Sequence, residues 1–110
     1  MSEMFEVLDD GRRKVVLDKE IETAAGKCSV VFLRPPTAGD FLELGDPTAA
    51  IWSADSASAV PVDDMPTIAA YVGRLADVSP EALKRQGSLR VGKALAAAVK
   101  SFFREIDAKN

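Results

Sequence analysis

Carboxylates stand in adjacent pairs at Asp9-Asp10 and Asp63-Asp64, a lone thiol at Cys28, and cations at Arg90, Lys93, Lys100 and Arg104. Paired carboxylates can share acid–base work or ligate a metal, but only if the side chains converge. Sequence neighbours diverge in a strand or a helix, and turn chemistry accounts for both pairs. The chain contains no histidine. Neither Cys28 nor any serine therefore has an imidazole base to activate it. Cys28 sits in a β-like apolar run and reads as a small hydrophobe. As the single cysteine, it cannot close an internal disulfide. No glycine-rich phosphate loop occurs. Gly39-Asp40 stands at a helix start, where free amides attract anions, but Asp40 brings its own negative charge. The expectation is a non-enzyme without cofactor or metal.

The cations fall opposite the apolar face of a C-terminal helix, which is where a solvated face places them. Nucleic-acid binding would want aromatics interleaved with them, and a net charge of -3 argues the same way. Nucleic acid is therefore not the expected partner. No apolar run is long enough to span a bilayer, and the acidic start Met1–Glu6 is unlike a signal peptide. A cytoplasmic protein with no membrane partner is expected.

The elements that must position these residues follow from hydrophobic period. With 110 residues the chain reads as a single small domain, 1–110. Phe5–Leu8 is a short strand candidate, turning at Asp9-Asp10-Gly11. Val15, Leu17 and Ile21 share one face of a strand over 13–21. After a loop at 22–26, a second strand runs to Arg34, with Cys28, Val30 and Phe32 on one face and Val31 and Leu33 on the other. The short connection makes the pair antiparallel. Pro35 and Pro36 end it. Thr37 then fits an N-cap with Asp40 as the acid of a capping box, and Pro36 can staple onto Phe41. Ala38, Phe41 and Leu44 or Leu42 are expected to supply the buried face of that helix, and Gly45 its stop. Asp46-Pro47 opens a second short helix reaching Trp52. The Ser/Ala-rich stretch near 53–63 reads as a mobile loop. Helices follow from Asp64-capped 66–76, from Ser79-Pro80, and from Ser88 to about 107. In the last, Val91, Leu95, Ala98, Val99, Phe102 and Ile106 form one stripe. The fold class is α+β: an N-terminal antiparallel β-hairpin, or three strands, over 1–34, then a helical region over 37–110 whose longest helix is C-terminal.

Leu33-Arg34-Pro35-Pro36-Thr37-Ala38-Gly39-Asp40-Phe41 resembles the L-R-x-P-T-A-G-D-hydrophobic segment of phage tail assembly chaperones of Mu-like and related contractile-tailed phages and prophages. The order of features is also similar. An apolar hairpin precedes the motif, Val78-Ser79-Pro80-Glu81-Ala82-Leu83 follows it, and a helix with aromatics at Phe102 and Phe103 closes the resemblance, which spans about residues 14–104. The Ser53–Val60 stretch departs from the pattern. The resemblance implies a nonenzymatic protein of the bacterial host cytoplasm that binds the tape measure protein, keeps it soluble and recruits tail tube subunits. It also implies a longer frameshifted form. Ala108-Lys109-Asn110 can be encoded with A-AAA-AAC, on which ribosomes slip back one base.

Partner contact is then expected from Val31, Leu33, Arg34, Phe41, Leu95, Val99, Phe102 and Phe103, with Pro35, Pro36, Thr37, Gly39 and Asp40 acting as structural motif. Arg34 has a second reading, as a surface guanidinium paired to Asp40 or Glu43. The same apolar surfaces would equally support a homo-oligomer. Two other functions stay open on the sequence: a structural tail or adaptor subunit retained in the particle, and a small regulator binding nucleic acid through Lys93, Lys100 and Arg104.

Overall fold

A computed structural model describes residues 4–52 and 59–109 of the chain. The elements run β1 (Glu6–Val7), β2 (Arg13–Thr23), β3 (Gly26–Leu33), α1 (Ala38–Leu44), β4 (Thr48–Trp52), β5 (Ala59–Asp63), α2 (Met65–Leu75), α3 (Pro80–Lys84) and α4 (Leu89–Lys109). The class is α+β, with an antiparallel sheet ordered β1-β2-β3 and a separate β4-β5 ribbon.

Strand β2 is central. Its partner β3 returns after a tight turn in which Gly26 takes a φ of 119°, a conformation that strains a side-chain-bearing residue. Val15, Leu17 and Ile21 point inward as their period requires, joined by Val31 and Leu33 from β3. Helix α4 lies across β2 and α2 packs beside it. Val91, Ala94, Leu95, Ala98, Val99 and Phe102 complete the core from α4, and Ile68, Tyr71 and Leu75 from α2. The expected stripe of α4 holds as far as Phe102, whereas Ile106 is exposed.

The register of β2 on β3 shifts between Val16 and Ile21, where Leu17 to Glu20 stand opposite Ser29 alone. This irregularity corrects the expected face of Cys28. It sits across from Ile21 and packs against the core, which Val30 and Phe32 do not. The orphaned amides of the bulge are met by a side chain. Gln86 Oε1 accepts from Asp18 N and Lys19 N at 3.0 Å each, and Gln86 Nε2 donates to Lys19 O at 3.0 Å. Arg90 donates to Val16 O and Asp18 Oδ1 beside it.

The free side of β3 is occupied by the chain leaving α2. Leu33 bridges Ala76, Arg34 N donates to Leu75 O, and Asp77 N to Phe32 O.

Residues 46–52 differ from the expected short helix. Asp46 Oδ1 accepts from the Thr48 amide at 2.8 Å and its hydroxyl at 2.9 Å, and the chain continues as β4. Asp-Pro serves a helix start and a turn alike, and the Thr, Ile and Trp that follow favour the pleated form when Val60 and Val62 lie opposite. Ala59–Asp63, expected within a loop, is strand β5 for the same reason. Residues 53–58, the remainder of that loop, lie outside the described residues.

Candidate protein-binding site

Helix α1 is inverted in polarity. Its buried residue is Asp40, 4% exposed, whereas Phe41 is 43% and Leu42 82% exposed. The expectation that Ala38, Phe41 and Leu42 would face inward is therefore corrected, and of the apolar set only Leu44 is partly covered. The cause is ionic. Asp40 accepts from Arg34 Nη1 at 2.8 Å, from Arg34 Nη2 at 3.3 Å and from Arg74 Nη1 at 3.2 Å. Its Oδ2 also takes the Thr37 amide at 2.8 Å, and Thr37 Oγ1 accepts the Asp40 amide at 3.3 Å, which completes the capping box. Arg74 reaches on to Glu43 at 2.6 Å. A carboxylate that accepts four hydrogen bonds from three residues can be buried at a cost an unpaired one could not meet. The Arg34 hydrogen bonds, then the Thr37 amide, hold its carboxyl well below the usual range, against the opposing effect of burial.

Burying Asp40 fixes the rotation of the helix and turns Phe41 and Leu42 outward. The far end is equally fixed. Gly45 ends the helix with a φ of 84°, and the buried Tyr71 phenol donates to Gly45 O at 2.6 Å. Burial, together with the charges of Asp40 and Asp46, pushes the Tyr71 phenol upward in pKa.

Beside the outward face lies a cleft of about 320 Å³ lined by Pro36, Thr37, Phe41, Asp46, Phe102, Phe103 and Ile106. Phe103 forms its wall, with its ring centre 5.1 Å from Tyr71 edge-on and 6.3 Å from Phe41. Comparison with protein-family models, with curated proteins and with solved structures returns no match for this chain.

The residues expected to touch a partner divide on burial. Phe41 and Phe103 come together at the cleft with Pro36 and Thr37. Val31, Leu33, Leu95, Val99 and Phe102 are core residues, nearly or wholly inaccessible, and of these Phe102 alone also lines the cleft. Their periodicity was that of buried faces, and nothing local distinguishes a face covered by the chain itself from one covered by another protein. Arg34 takes its second reading, the pair with Asp40. Pro35 and Pro36 precede the helix, and a Cβ added at Gly39 would come 3.7 Å from Thr37 Oγ1, an ordinary contact, so Gly39 is not sterically required there.

Arg13 was not singled out by sequence, yet it is 2% exposed. Its Nε donates to Ser101 Oγ at 3.0 Å, Nη1 to Gly11 O at 2.6 Å and Nη2 to Glu105 at 3.0 Å. It anchors the C-terminal half of α4 to β2.

The cation stripe is divided. Arg90 pairs with Asp18 and Lys100 with Asp63, leaving Lys93 and Arg104 without an ion pair among the described residues. Of the acidic pairs, Asp10 accepts from Arg12 and Asp64 caps α2, both local contacts, whereas Asp63 meets the distant Lys100. Among the described residues no group of three or more Cys, Asp or Glu is placed to hold a metal ion, and no helix is long and apolar enough to cross a membrane.

Proposed function

We propose that this chain is a phage tail assembly chaperone whose contact with the tape measure protein is centred on Phe41 and Leu42. The observation that carries the contact is the inverted helix. A helix that buries its acid and exposes its aromatic and leucine side chains beside an apolar cleft is arranged for an apolar partner surface. The resemblance of Leu33–Phe41 to the tail-chaperone motif supplies the identity of that partner and its setting, the bacterial host cytoplasm.

The physical logic of the role is coverage. A long helical protein awaiting assembly exposes apolar stripes, and a chaperone lowers their free energy by removing them from water. The Asp40 network and the Tyr71 anchor hold α1 in one orientation before binding, so little ordering entropy is lost on contact. Leu42 enters the partner surface and the cleft beside Phe41 and Phe103 receives a side chain in return. Recruitment of tail tube subunits would then use surfaces away from α1.

Co-expression with the tape measure protein encoded nearby is the test. The expected result is that it becomes soluble and co-purifies with this chain. A tape measure protein that stays insoluble and unbound overturns the reading. If capture succeeds but is unchanged by Leu42→Lys, the function stands and the site falls. Abundant copies in purified tails would instead favour a structural subunit.

A further inference from the structure

The β4–β5 ribbon is closed at its base, where Asp64 N donates to Pro47 O at 2.8 Å, and is tied to α4 there by Lys100, which meets Asp63 at 2.9 Å. No third strand pairs with it among the described residues. A two-stranded ribbon is marginal in water and gains from a third strand.

Its register identifies which edge is open. Pro47 and Asp64 form a hydrogen-bonded pair, and bonded pairs recur at every second residue of an antiparallel ladder. Ala49↔Val62 and Ile51↔Val60 are therefore the bonded pairs. Pro61, opposite Ala50, has no N–H and fits only the alternate class, which agrees. The backbone groups of Thr48, Ala50 and Trp52 thus point away from β5, and those of Ala59, Pro61 and Asp63 away from β4. The β5 edge lacks a donor at its centre and carries a charge at Asp63. The β4 edge, Thr-Ala-Ala-Ile-Trp, has neither proline nor charge. It offers the Ala50 N–H and C=O, the Thr48 C=O and the Trp52 N–H, while the Thr48 N–H is already held by Asp46.

We infer that β4 pairs antiparallel with β4 of a second copy of this chain, about a two-fold axis through Ala50. In that register Ala50 exchanges both of its hydrogen bonds with the Ala50 of the second copy. The Trp52 N–H of each chain reaches the Thr48 C=O of the other. The Asp46-capped amide of Thr48 ends the ladder on each side. A longer foreign strand would run into that occupied amide, whereas the copy stops where its own ladder stops. A two-fold contact of this kind is self-complementary and closes at a dimer. The inference is independent of the chaperone reading.

Because Ala50 faces itself, charge tests it directly. Sedimentation of the unaltered chain is expected to give a dimer. Ala50→Lys and Ala50→Glu alone are each expected to give monomers, and their equimolar mixture is expected to restore the dimer. Ala50→Pro removes an outward donor without touching the bonds to β5 and is expected to be monomeric, which keeps the test open if a charged variant fails to fold. Hydrogen exchange on the unaltered chain needs no variant: the Ala50 and Trp52 amides should gain protection as concentration rises. A chain that stays monomeric to about 1 mM overturns the inference. So does a dimer that survives in both charged variants, or exchange at Ala50 that is the same in monomer and dimer.

Discussion

The guanidinium carbon of Arg13 lies 4.2 Å from the centre of the Phe102 ring, so a charged strand residue forms part of the floor beneath α4. The contact joins a cation–π attraction to an ion pair whose arginine is buried and whose acid, Glu105, remains half exposed. Removing the arginine therefore leaves no buried charge behind, while removing Glu105 does.

That asymmetry is measurable by chemical denaturation. Arg13→Ala loses the stacking, the hydrogen bonds and the side-chain volume, and should cost about 3 kcal/mol. Arg13→Met keeps the volume over Phe102 and should cost about 1 kcal/mol. Glu105→Gln leaves the guanidinium without its countercharge and should cost about 1–2 kcal/mol despite the exposure of the site. Equal costs for Ala and Met at position 13 would show that packing contributes nothing there.

Asp40 sets an acid limit on stability. Its carboxyl ionises more readily in the folded chain than in the unfolded one, so the unfolded chain binds the proton first. The stabilisation is complete above the unfolded value of about 4 and is lost as pH falls toward the folded value. Asp10, through the Arg12 amide, and Asp18, through the Arg90 side chain, shift in the same direction at the surface. Asp40→Asn should lower stability by about 2 kcal/mol at neutral pH. It should also flatten the decline between about pH 4 and pH 2, as followed by urea midpoints. A slope identical to that of the unaltered chain would remove Asp40 as its source.

Gln86 should control the bulge of β2. Gln86→Ala is expected to speed amide exchange at Asp18 and Lys19 while Val15 and Val31 stay protected, because only the former lose their acceptor. The accompanying loss of stability should be about 1–2 kcal/mol.

Leu42 should matter for binding and not for folding. Leu42→Lys is expected to change stability by less than about 0.5 kcal/mol, since the side chain is almost fully exposed. Capture of the tape measure protein in the co-expression assay should fall at least several-fold. A variant that folds and captures normally would move the contact elsewhere.

Tyr71→Phe removes the donor to Gly45 O and leaves that carbonyl without the phenol. A cost of about 1–2 kcal/mol is expected by thermal unfolding. The reduced hold on the end of α1 should also weaken partner capture more than this loss alone would explain.

What was readable in the sequence was local. Thr37 with Asp40, Asp64, Ser79-Pro80 and Gly45 all mark helix ends through contacts spanning a few residues, and each stands where its type requires. The inward residues of β2 and α4 followed from period alone. What could not be read depended on distant partners. The rotation of α1 rests on Asp40, whose pair with the nearby Arg34 was readable but whose second cation, Arg74, lies thirty-four positions away, against an apolar pattern that pointed Phe41 inward. Arg13 and Gln86 bond to residues 88 and 67 positions away, and neither stands in a recognisable motif. The face of Cys28 turned on a register shift that leaves the alternation of Val15, Leu17 and Ile21 undisturbed. Asp46-Pro47 is ambiguous chemically, and the pairing of β4 with β5 resolved it.

The inner face of the sheet is covered by α4 together with α2, so the order of synthesis matters. Strands β2 and β3 leave the ribosome while the residues that cover Val15, Leu17, Val31 and Leu33 are still untranslated. The hairpin can form early, because its closure is short, but its apolar face must wait for contacts whose loop entropy is the largest in the fold. Until Ser101, Phe102 and Glu105 arrive, Arg13 on that same strand keeps a hydrated charge at one end of the bare surface. The nascent chain thus carries its own solubilising group at the place where premature association with other chains would begin, and withdraws it into the core only when the last helix has docked.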